Sequence, residues 1–172
     1  KLYHTNFKEE ELFISRFLNL LQSSRCFYRD HVPGHITASA WIVDENKTHA
    51  LLIHHAKLGK WLQPGGHADG DENILNVAKR EVNEETGLKD FNHVSTGIFD
   101  LDIHPIPARK DFPEHLHYDI RFLFIASMND ELTINDESRE LRWIKKEDIP
   151  ALTGQNSSIL RMINKTLRTD QR

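Results

Sequence analysis

The stretch that decides the interpretation of this chain runs from Gly66 to Leu88 and reads GHADGDENILNVAKREVNEETGL. Apolar residues recur within it at helical spacing, and they end at Gly87 followed by Leu88, an order typical of a helix that terminates at a glycine. We therefore predict a helix from Glu72 to Glu85. Its apolar side is formed by Ile74, Leu75, Ala78 and Val82.

The predicted helix carries three carboxylates near its end. Glu81, Glu84 and Glu85 are three and four positions apart, so they project from one side of a helix. Like charges this close repel unless a cation neutralises them, and hard oxygen ligands suit Mg²⁺, with Mn²⁺ as the alternative. The spacing therefore predicts a divalent metal site, with Arg80 placed to pair with Glu84 or a more distant carboxylate.

The residues before the helix support this prediction. Gly65 and Gly66 have no side chain, so a carbonyl can coordinate a metal there and a phosphate can approach the backbone closely. Glu72 lies near the positive end of the helix dipole, where it is placed to orient the metal ligands. A solvated helix face with an i,i+4 pair to Arg80 is the structural alternative, and the glycines favour the metal site over it.

The whole string resembles the signature of the Nudix family. The matching positions are Gly66, Glu72, Arg80, Glu81, Val82, Glu84, Glu85, Gly87 and Leu88. The segment Trp61–Gly66 resembles the family's lead-in to this signature, and Arg142-Trp143-Ile144 with Glu147-Asp148-Ile149 resembles its late strand and turn. The resemblance covers Gly34 to the C-terminus.

The resemblance implies a fold and a reaction. The implied fold is the Nudix fold, an α/β (α+β) architecture in which a mixed β-sheet is sandwiched between α-helices. The implied enzyme is a hydrolase acting on phosphorus-containing anhydrides. It would cleave a diphosphate bond in a nucleoside diphosphate linked to another moiety by means of a metal-activated water, so the expected partner is a small-molecule substrate of that type.

The resemblance also implies roles for individual residues. The implied metal ligands are Glu81, Glu84, Glu85 and the carbonyl of Gly65, and Glu81 or Glu84 would receive the proton of the water. Arg80 would assist catalysis, and the supporting positions are Gly66, Glu72 and Gly87. Family members often add a carboxylate from the segment before the late tryptophan, for which Glu137 is the candidate and Glu140 the reserve.

The rest of the chain predicts alternating strands and helices around this centre. The predicted strands are Ile36–Val43, Ala50–Ile53, Val94–Ile103, His115–Ala126 and Leu141–Ile144, and the other predicted helices are Phe7–Leu21 and Asn156–Leu167. Asn6 and Glu9 resemble a capping box for the first helix. Pro33 and Gly34 mark the expected boundary between an N-terminal helical extension, residues 1–34, and a Nudix hydrolase domain, residues 35–172.

One predicted strand carries chargeable side chains at every second position. His115, His117, Asp119 and Arg121 alternate with apolar residues, so we interpret their face as a wall of the substrate site, joined by His104 and Arg109. Two alternatives stay open: a solvated outer face of the sheet, and a transition-metal site made of His104, His115 and His117.

Two residues close to the glycines have open roles as well. His67 is placed to contact a phosphate or a metal, or to cap the loop. Trp61 is placed either to stack on a base or to pack against the protein, and packing is the usual role.

Composition excludes several partners. The chain has 172 residues with 22 Lys and Arg against 26 Asp and Glu, which gives a net charge of -4. This charge argues against nucleic acid as a partner, and we expect no binding to an anionic membrane. The single cysteine, Cys26, fits a reducing compartment, and no apolar run is long enough to span a membrane. We expect a cytoplasmic protein, with a homodimer compatible with the sequence.

Three rival functions remain to be weighed. A non-catalytic nucleotide sensor on the same fold would be expected to have a damaged metal cluster, whereas this cluster is intact. The related isomerases of isoprenoid diphosphates use a cysteine near the metal loops, whereas Cys26 precedes the first predicted strand. Processing of nucleic-acid ends would be favoured by a basic stripe, which the acidic total opposes.

Overall fold

The computed structural model describes residues 3–94 and 97–168. Its helices are α1 (Lys8–Leu20), α2 (Ile74–Thr86), α3 (Ile149–Leu152) and α4 (Ser157–Arg168). Its strands are β1 (Gly34–Val43), β2 (His49–His55), β3 (Lys60–Leu62), β4 (Gly65–His67), β5 (Phe91–His93), β6 (Asp100–Ile106), β7 (His115–Ala126) and β8 (Ser138–Lys145). The predicted strand Val94–Ile103 crosses residues 95 and 96, which lie outside the described residues.

The strands form one mixed sheet centred on β1 and β7. These two long strands run parallel, and their register pairs Gly34 with Leu116 and Val43 with Ile125. Strands β4 and β2 pair antiparallel with successive parts of β1, while β6 and β5 do the same with β7. Strands β3 and β8 then add to β2. The predicted mixed sheet is confirmed.

Side chains alternate across the sheet, and helices cover both faces. The face that carries Ile36 and Ala38 shares one core with α1 and α2. The opposite face carries Trp41 and Val43, which pack with α4 residues such as Met162. The sheet is therefore sandwiched between helices, as the resemblance implied.

Helix α1 differs from its prediction. Its N-cap is Phe7 and no side chain caps it, so the predicted capping box of Asn6 and Glu9 is wrong. The reason is a long-range contact, because Glu9 forms an ion pair with Arg161 of α4. Leu18 and Leu21 continue the helical spacing of the apolar residues, yet they are 59% and 45% exposed.

In helix α4, too, the spacing of apolar residues only partly matches the residues that are buried. Ile159 and Ile163 are buried, whereas Leu167, which continues the same helical spacing, is half exposed. Arg161, which the pattern assigned no role, is 4% exposed and lies on the inner side of the helix.

Arg161 belongs to a buried charge network that joins α4 to the sheet. It donates to Asp100 at 2.9 Å and to Asp102 at 3.0 Å, while Arg121 of β7 donates to both carboxylates at 3.1 Å. Burial favours the neutral form of Asp102, but the charge of Arg121 and hydrogen bonds from His104 and Arg161 outweigh it and hold its pKa well below the usual range. The network therefore compensates charges that would be costly if left alone.

The segment before β1 packs onto the glycine loop that precedes α2. The Nε atom of Arg29 donates to Asp69 at 2.6 Å, and the amide of Gly70 donates to the carbonyl of Phe27 at 2.9 Å. Gly70 has a φ of 91°, and an added Cβ would lie 2.8 Å from the ring of Tyr28. The segment and the loop thus fit together only with a glycine at this position.

Helix α1 shares its core with the sheet, since the ring of Phe17 lies 5.3 Å from that of Tyr118 in an edge-on contact. The division of the chain at residue 34 stays a prediction. Among the described residues, no helix combines the length and apolar character needed to cross a membrane.

Replacing Arg161 with methionine is expected to lower the free energy of unfolding by about 3 to 5 kcal/mol, because it leaves buried carboxylates without a partner. Urea denaturation of the purified proteins measures this change. The matched control is Arg139→Met, which removes the same charge from an exposed position of β8. Equal unfolding free energies for the two variants would contradict the structural role of the network.

The same network predicts a dependence of stability on pH. Because the pKa of Asp102 is lower in the folded protein than in the unfolded chain, its contribution is present above about pH 4 and is lost as the pH falls further. The difference in unfolding free energy between wild type and Asp102→Asn should therefore be largest at pH 7 and shrink towards pH 3. Urea titrations at several pH values test this, and a gap that widens in acid would refute it.

Candidate active site

Helix α2 carries the three carboxylates Glu81, Glu84 and Glu85, and it begins later than predicted. Asn73 is its N-cap, and its side chain accepts the amide of Asn76 at 3.2 Å. Its C-cap is Gly87 with a φ of 74°, which confirms the predicted glycine end. Glu72 therefore precedes the helix and is exposed, and its carboxylate has no ion pair or hydrogen bond within the described part of the chain. Its supporting role stays a prediction.

Glu81 points from α2 onto the bare backbone of Gly66. A Cβ at Gly66 would lie 2.6 Å from the carboxylate carbon and both oxygens, so a larger residue here would displace the carboxylate of Glu81. Arg80 fixes the same carboxylate, since its Nη2 donates to Glu81 Oε1 at 2.8 Å and to the carbonyl of His67 at 2.9 Å. Its Nε lies 3.6 Å from Glu84. Arg80 thus ties the loop to two of the three carboxylates.

Glu85 lies one turn further along and is also buried. It accepts the amide of Gly65 at 2.7 Å. Burial raises its pKa to about 7 despite this hydrogen bond, and the charges of Glu81, Glu137 and Glu84 raise it further. Burial likewise raises the pKa of Glu81, against the opposing effect of Arg80. These are the properties of carboxylates that lack sufficient positive charge, so the residues fit a divalent cation.

The structure brings Glu137, but not Glu140, towards this cluster. The charge of Glu137 raises the pKa of both Glu81 and Glu85. Asn135 holds the segment in place, since its side chain accepts the amide of Glu137 at 3.0 Å and donates to the carbonyl of Glu84 at 3.2 Å. Glu140 instead forms an ion pair with Arg142.

The polar side chains of β7 lie on a buried face, so the alternative of a solvated outer face is wrong. The ladder places His117 beside His35 of β1 and His104 of β6. The next row aligns His67, Thr37, Asp119 and Asp102 across four strands. This face is a polar interior at the end of the sheet where β4, β1, β7 and β6 lie side by side.

Asp119 and Arg121 form the floor of this polar interior. Asp119 is 2% exposed and accepts from Thr37 at 3.1 Å, from Ser39 at 2.8 Å and from Arg121 at 2.7 Å. Its oxygens are therefore occupied by neighbours within the protein. The predicted contact of Asp119 with a substrate stays a prediction.

The histidines next to Asp119 and Arg121 lie close together. The rings of His35, His67 and His117 lie 4.9 to 5.2 Å apart, and His115 stacks on His35 at 5.0 Å. Burial lowers the pKa of His117 to about 2, and neighbouring histidines, His67 first, lower it further. Burial also lowers the pKa of His67 to about 4, with the charge of Arg29 as the next cause. The rings of His67 and His117 are therefore neutral at pH 7.

Sequence analysis missed His35, and the transition-metal alternative that it left open named His104, His115 and His117. Within the described ranges, the three whose ligand atoms converge within 4.8 Å are His35, His67 and His117, not His104, His115 and His117. The missed signal is the alternation of His35, Thr37 and Ser39 with apolar residues in β1.

Two other predicted substrate contacts lie elsewhere. Trp61 stacks on His54 at 5.0 Å, and the guanidinium of Arg142 lies 4.9 Å from its ring, so packing accounts for its position. Arg109 is exposed in the loop between β6 and β7, where its amide donates to Phe112 at 2.8 Å. A substrate role for either residue stays a prediction.

Comparison with known proteins agrees with this arrangement. The family model described as the NUDIX domain matches residues 33–164. The nucleoside triphosphatase NudI of Klebsiella pneumoniae subsp. pneumoniae is 33% identical over 112 residues, which cover 61% of this chain and 79% of the relative. A probable DHNTP pyrophosphohydrolase of Lactococcus lactis subsp. cremoris is 30% identical over 119 residues, 67% of this chain and 69% of the relative.

Solved structures show the same fold at lower identity. An Ap4A hydrolase from C. elegans, crystallised as a binary complex, matches with a TM-score of 0.61 at 18% identity, over 78% of this chain and 98% of that one. The dihydroneopterin triphosphate pyrophosphohydrolase of E. coli matches with a TM-score of 0.61 at 13% identity, over 77% and 95%. On the family model and these relatives, the chain belongs to the Nudix family and is a hydrolase that acts on phosphorus-containing anhydride bonds.

Proposed function

We propose that this hydrolase cleaves a diphosphate bond in a small nucleotide substrate with the help of Mg²⁺, for which Mn²⁺ can substitute. The observation that carries the proposal is the pair of buried carboxylates, Glu81 and Glu85, that face the bare backbone of Gly65 and Gly66 with raised pKa values. Added positive charge stabilises the ionised form of such a pair.

The residues that would hold the metal ions are Glu81, Glu84, Glu85 and the carbonyl of Gly65, with Glu137 as a further ligand. When bound, divalent ions in such a site polarise the diphosphate, lower the pKa of a water and stabilise the leaving phosphate. Glu81 and Glu85 are constrained by Arg80 and by the Gly65 amide, respectively.

Glu84 is the best candidate for the group that receives the proton of the water. Its side chain is 59% exposed, whereas that of Glu81 is 12% exposed. A general base must reach the water in the open part of the site, and Glu84 is the least constrained of the three carboxylates. Arg80 acts as a positioning residue, because its fork holds Glu81 and the loop carbonyl of His67 in one geometry.

The substrate class follows from chemistry and from similarity. A relative is named a nucleoside triphosphatase and another a probable DHNTP pyrophosphohydrolase, both for compounds with a chain of phosphates. The polar interior next to β4 offers hydrogen-bonding side chains on the opposite side of the strand from Glu81. A nucleoside diphosphate group linked to another moiety is therefore the proposed substrate, with its phosphates at the carboxylates.

Replacing Glu84 with glutamine should lower kcat by about 10²-fold or more, because a positioned base contributes about 10² to 10⁴ in rate. Mg²⁺ binding should weaken less than in Glu81→Gln. The measurement is Mg²⁺-dependent product release from a panel of nucleoside triphosphates, dinucleoside polyphosphates and nucleotide sugars. The matched control is Glu147→Gln, an exposed acid in the turn before α3, which should retain wild-type rates.

A wild-type protein that binds one of these compounds in calorimetry but turns over none would overturn the proposal and support a nucleotide sensor. Full activity of Glu84→Gln would exclude Glu84 as the group that receives the proton.

Mg²⁺ should raise the Tm of the wild-type protein, because an ion that binds only the folded state stabilises it. The increase should be much smaller in Glu85→Gln, which removes one ligand but keeps an oxygen able to accept the Gly65 amide. Thermal unfolding with and without Mg²⁺ measures both shifts. Identical shifts in the two proteins would exclude Glu85 from the metal site.

A further inference from the structure

A second group of ligand-type side chains lies outside the carboxylate cluster. His35 on β1, His67 on β4 and His117 on β7 come from three different strands, and one nitrogen of each lies within 4.8 Å of the others. In a tetrahedral site with metal–nitrogen distances of about 2.1 Å, neighbouring nitrogens are about 3.4 Å apart. Small ring rotations are therefore enough to close this group around one ion.

The protonation of His35 suits a metal ligand. Its Nδ1 lies 3.4 Å from the carbonyl of His31, which can only accept, so this nitrogen carries the proton. The lone pair then lies on Nε2, which is buried without a hydrogen-bond partner in a residue that is 1% exposed. A histidine that donates one N–H to a carbonyl and offers the other nitrogen is typical of metal ligands.

His117 provides a second unsatisfied nitrogen in the same place. Its Nε2 is also buried with no hydrogen-bond partner in the described part of the chain. A buried polar atom of this kind costs free energy unless something binds it, so two such atoms in adjacent strands require an explanation. The ladder makes the proximity obligatory, because it pairs His35 directly with His117.

We propose that His35, His67 and His117 bind one divalent transition-metal ion of the Zn²⁺ type. Imidazole nitrogens suit Zn²⁺, Cu²⁺, Fe²⁺ and Ni²⁺, whereas Mg²⁺ prefers oxygen ligands. His67 and His117 are half-buried, so the group is closed on the side of His35 and accessible on the other. Three protein ligands leave the fourth position for a water or a phosphate oxygen.

This site is distinct from the carboxylates. Successive residues of a strand face opposite sides, and Gly66 faces Glu81, so His67 faces the other side of β4. Only the backbone of β4 lies between the two groups. Arg80 donates a hydrogen bond to the backbone carbonyl of His67. The imidazole ring of His67, however, lies in the polar interior.

The experiment measures Zn²⁺ binding to the metal-free full chain by calorimetry, and Co²⁺ binding by visible absorption. Wild type should bind one Zn²⁺ per chain at this site, and Co²⁺ should give a spectrum of a nitrogen-ligated ion. His67→Gln and His117→Gln should each weaken Zn²⁺ binding at least 10-fold, because even the loss of a residue that only orients a ligand costs about 10- to 100-fold. His35→Gln is less informative, since this fully buried residue also supports the fold.

Two controls separate the site from other binding. His4→Gln removes an exposed histidine outside the group and should leave the affinity unchanged. Glu81→Gln combined with Glu85→Gln removes carboxylates and should also leave Zn²⁺ binding intact, so the result does not depend on the proposed hydrolysis. Retention of wild-type affinity in both His67→Gln and His117→Gln would overturn the proposal, as would loss of Zn²⁺ binding in the carboxylate double variant.

Discussion

The parallel pairing of β1 with β7 is the constraint on which the rest of the structure depends. Side chains alternate along both strands. If the pairing of the two strands slipped by one residue, the side chains of the shifted strand would point to the wrong face of the sheet. The observed register puts Ile36 and Tyr118 on the face that packs with α1 and α2, and it puts His35 beside His117 on the other. The apolar core and the polar interior follow from this ladder, and the pairing of β4 with β1 then places Gly66 on the side of α2.

The sheet face that carries Trp41 and Val43 is apolar at one end and polar at the other, and the buried charges lie at its polar end. At one end, Trp41 and Val43 pack with α4 in an ordinary apolar core. At the other end, Arg121 is buried and forms ion pairs with Asp100, Asp102 and Asp119, and Arg161 forms a further ion pair with Asp100. Arg161 lies on the same helix as Met162, so α4 covers both an apolar and a charged surface. Replacing a whole network of this kind with apolar residues often leaves the stability of a protein unchanged. The clearest contribution of the network here is therefore to fix the geometry of the side chains beneath the polar interior.

Sequence reasoning succeeded where the signal was local and failed where it was long-range. The helix with its glycine end, the carboxylates at Glu81 and Glu85, and the mixed sheet depend on spacing within one segment or on resemblance, and they were predicted. The capping box failed because Glu9 has a partner on α4, 152 residues away. His35 was missed because its importance comes from His67 and His117, which only the folded sheet brings close. Arg161 was missed for the same reason, since its partners are on β6.

The contact of residues 27–29 with the glycine loop has a consequence for how the protein meets its ligand. Arg29 and Asp69 are separated by 40 residues, and their ion pair joins the two ends of the segment that contains β1 to β4. The conformational entropy of ordering the loop is therefore lost when the chain folds and not when a ligand binds. The N-terminal segment thus preorganises the loop before α2, although none of its residues belongs to the carboxylate cluster.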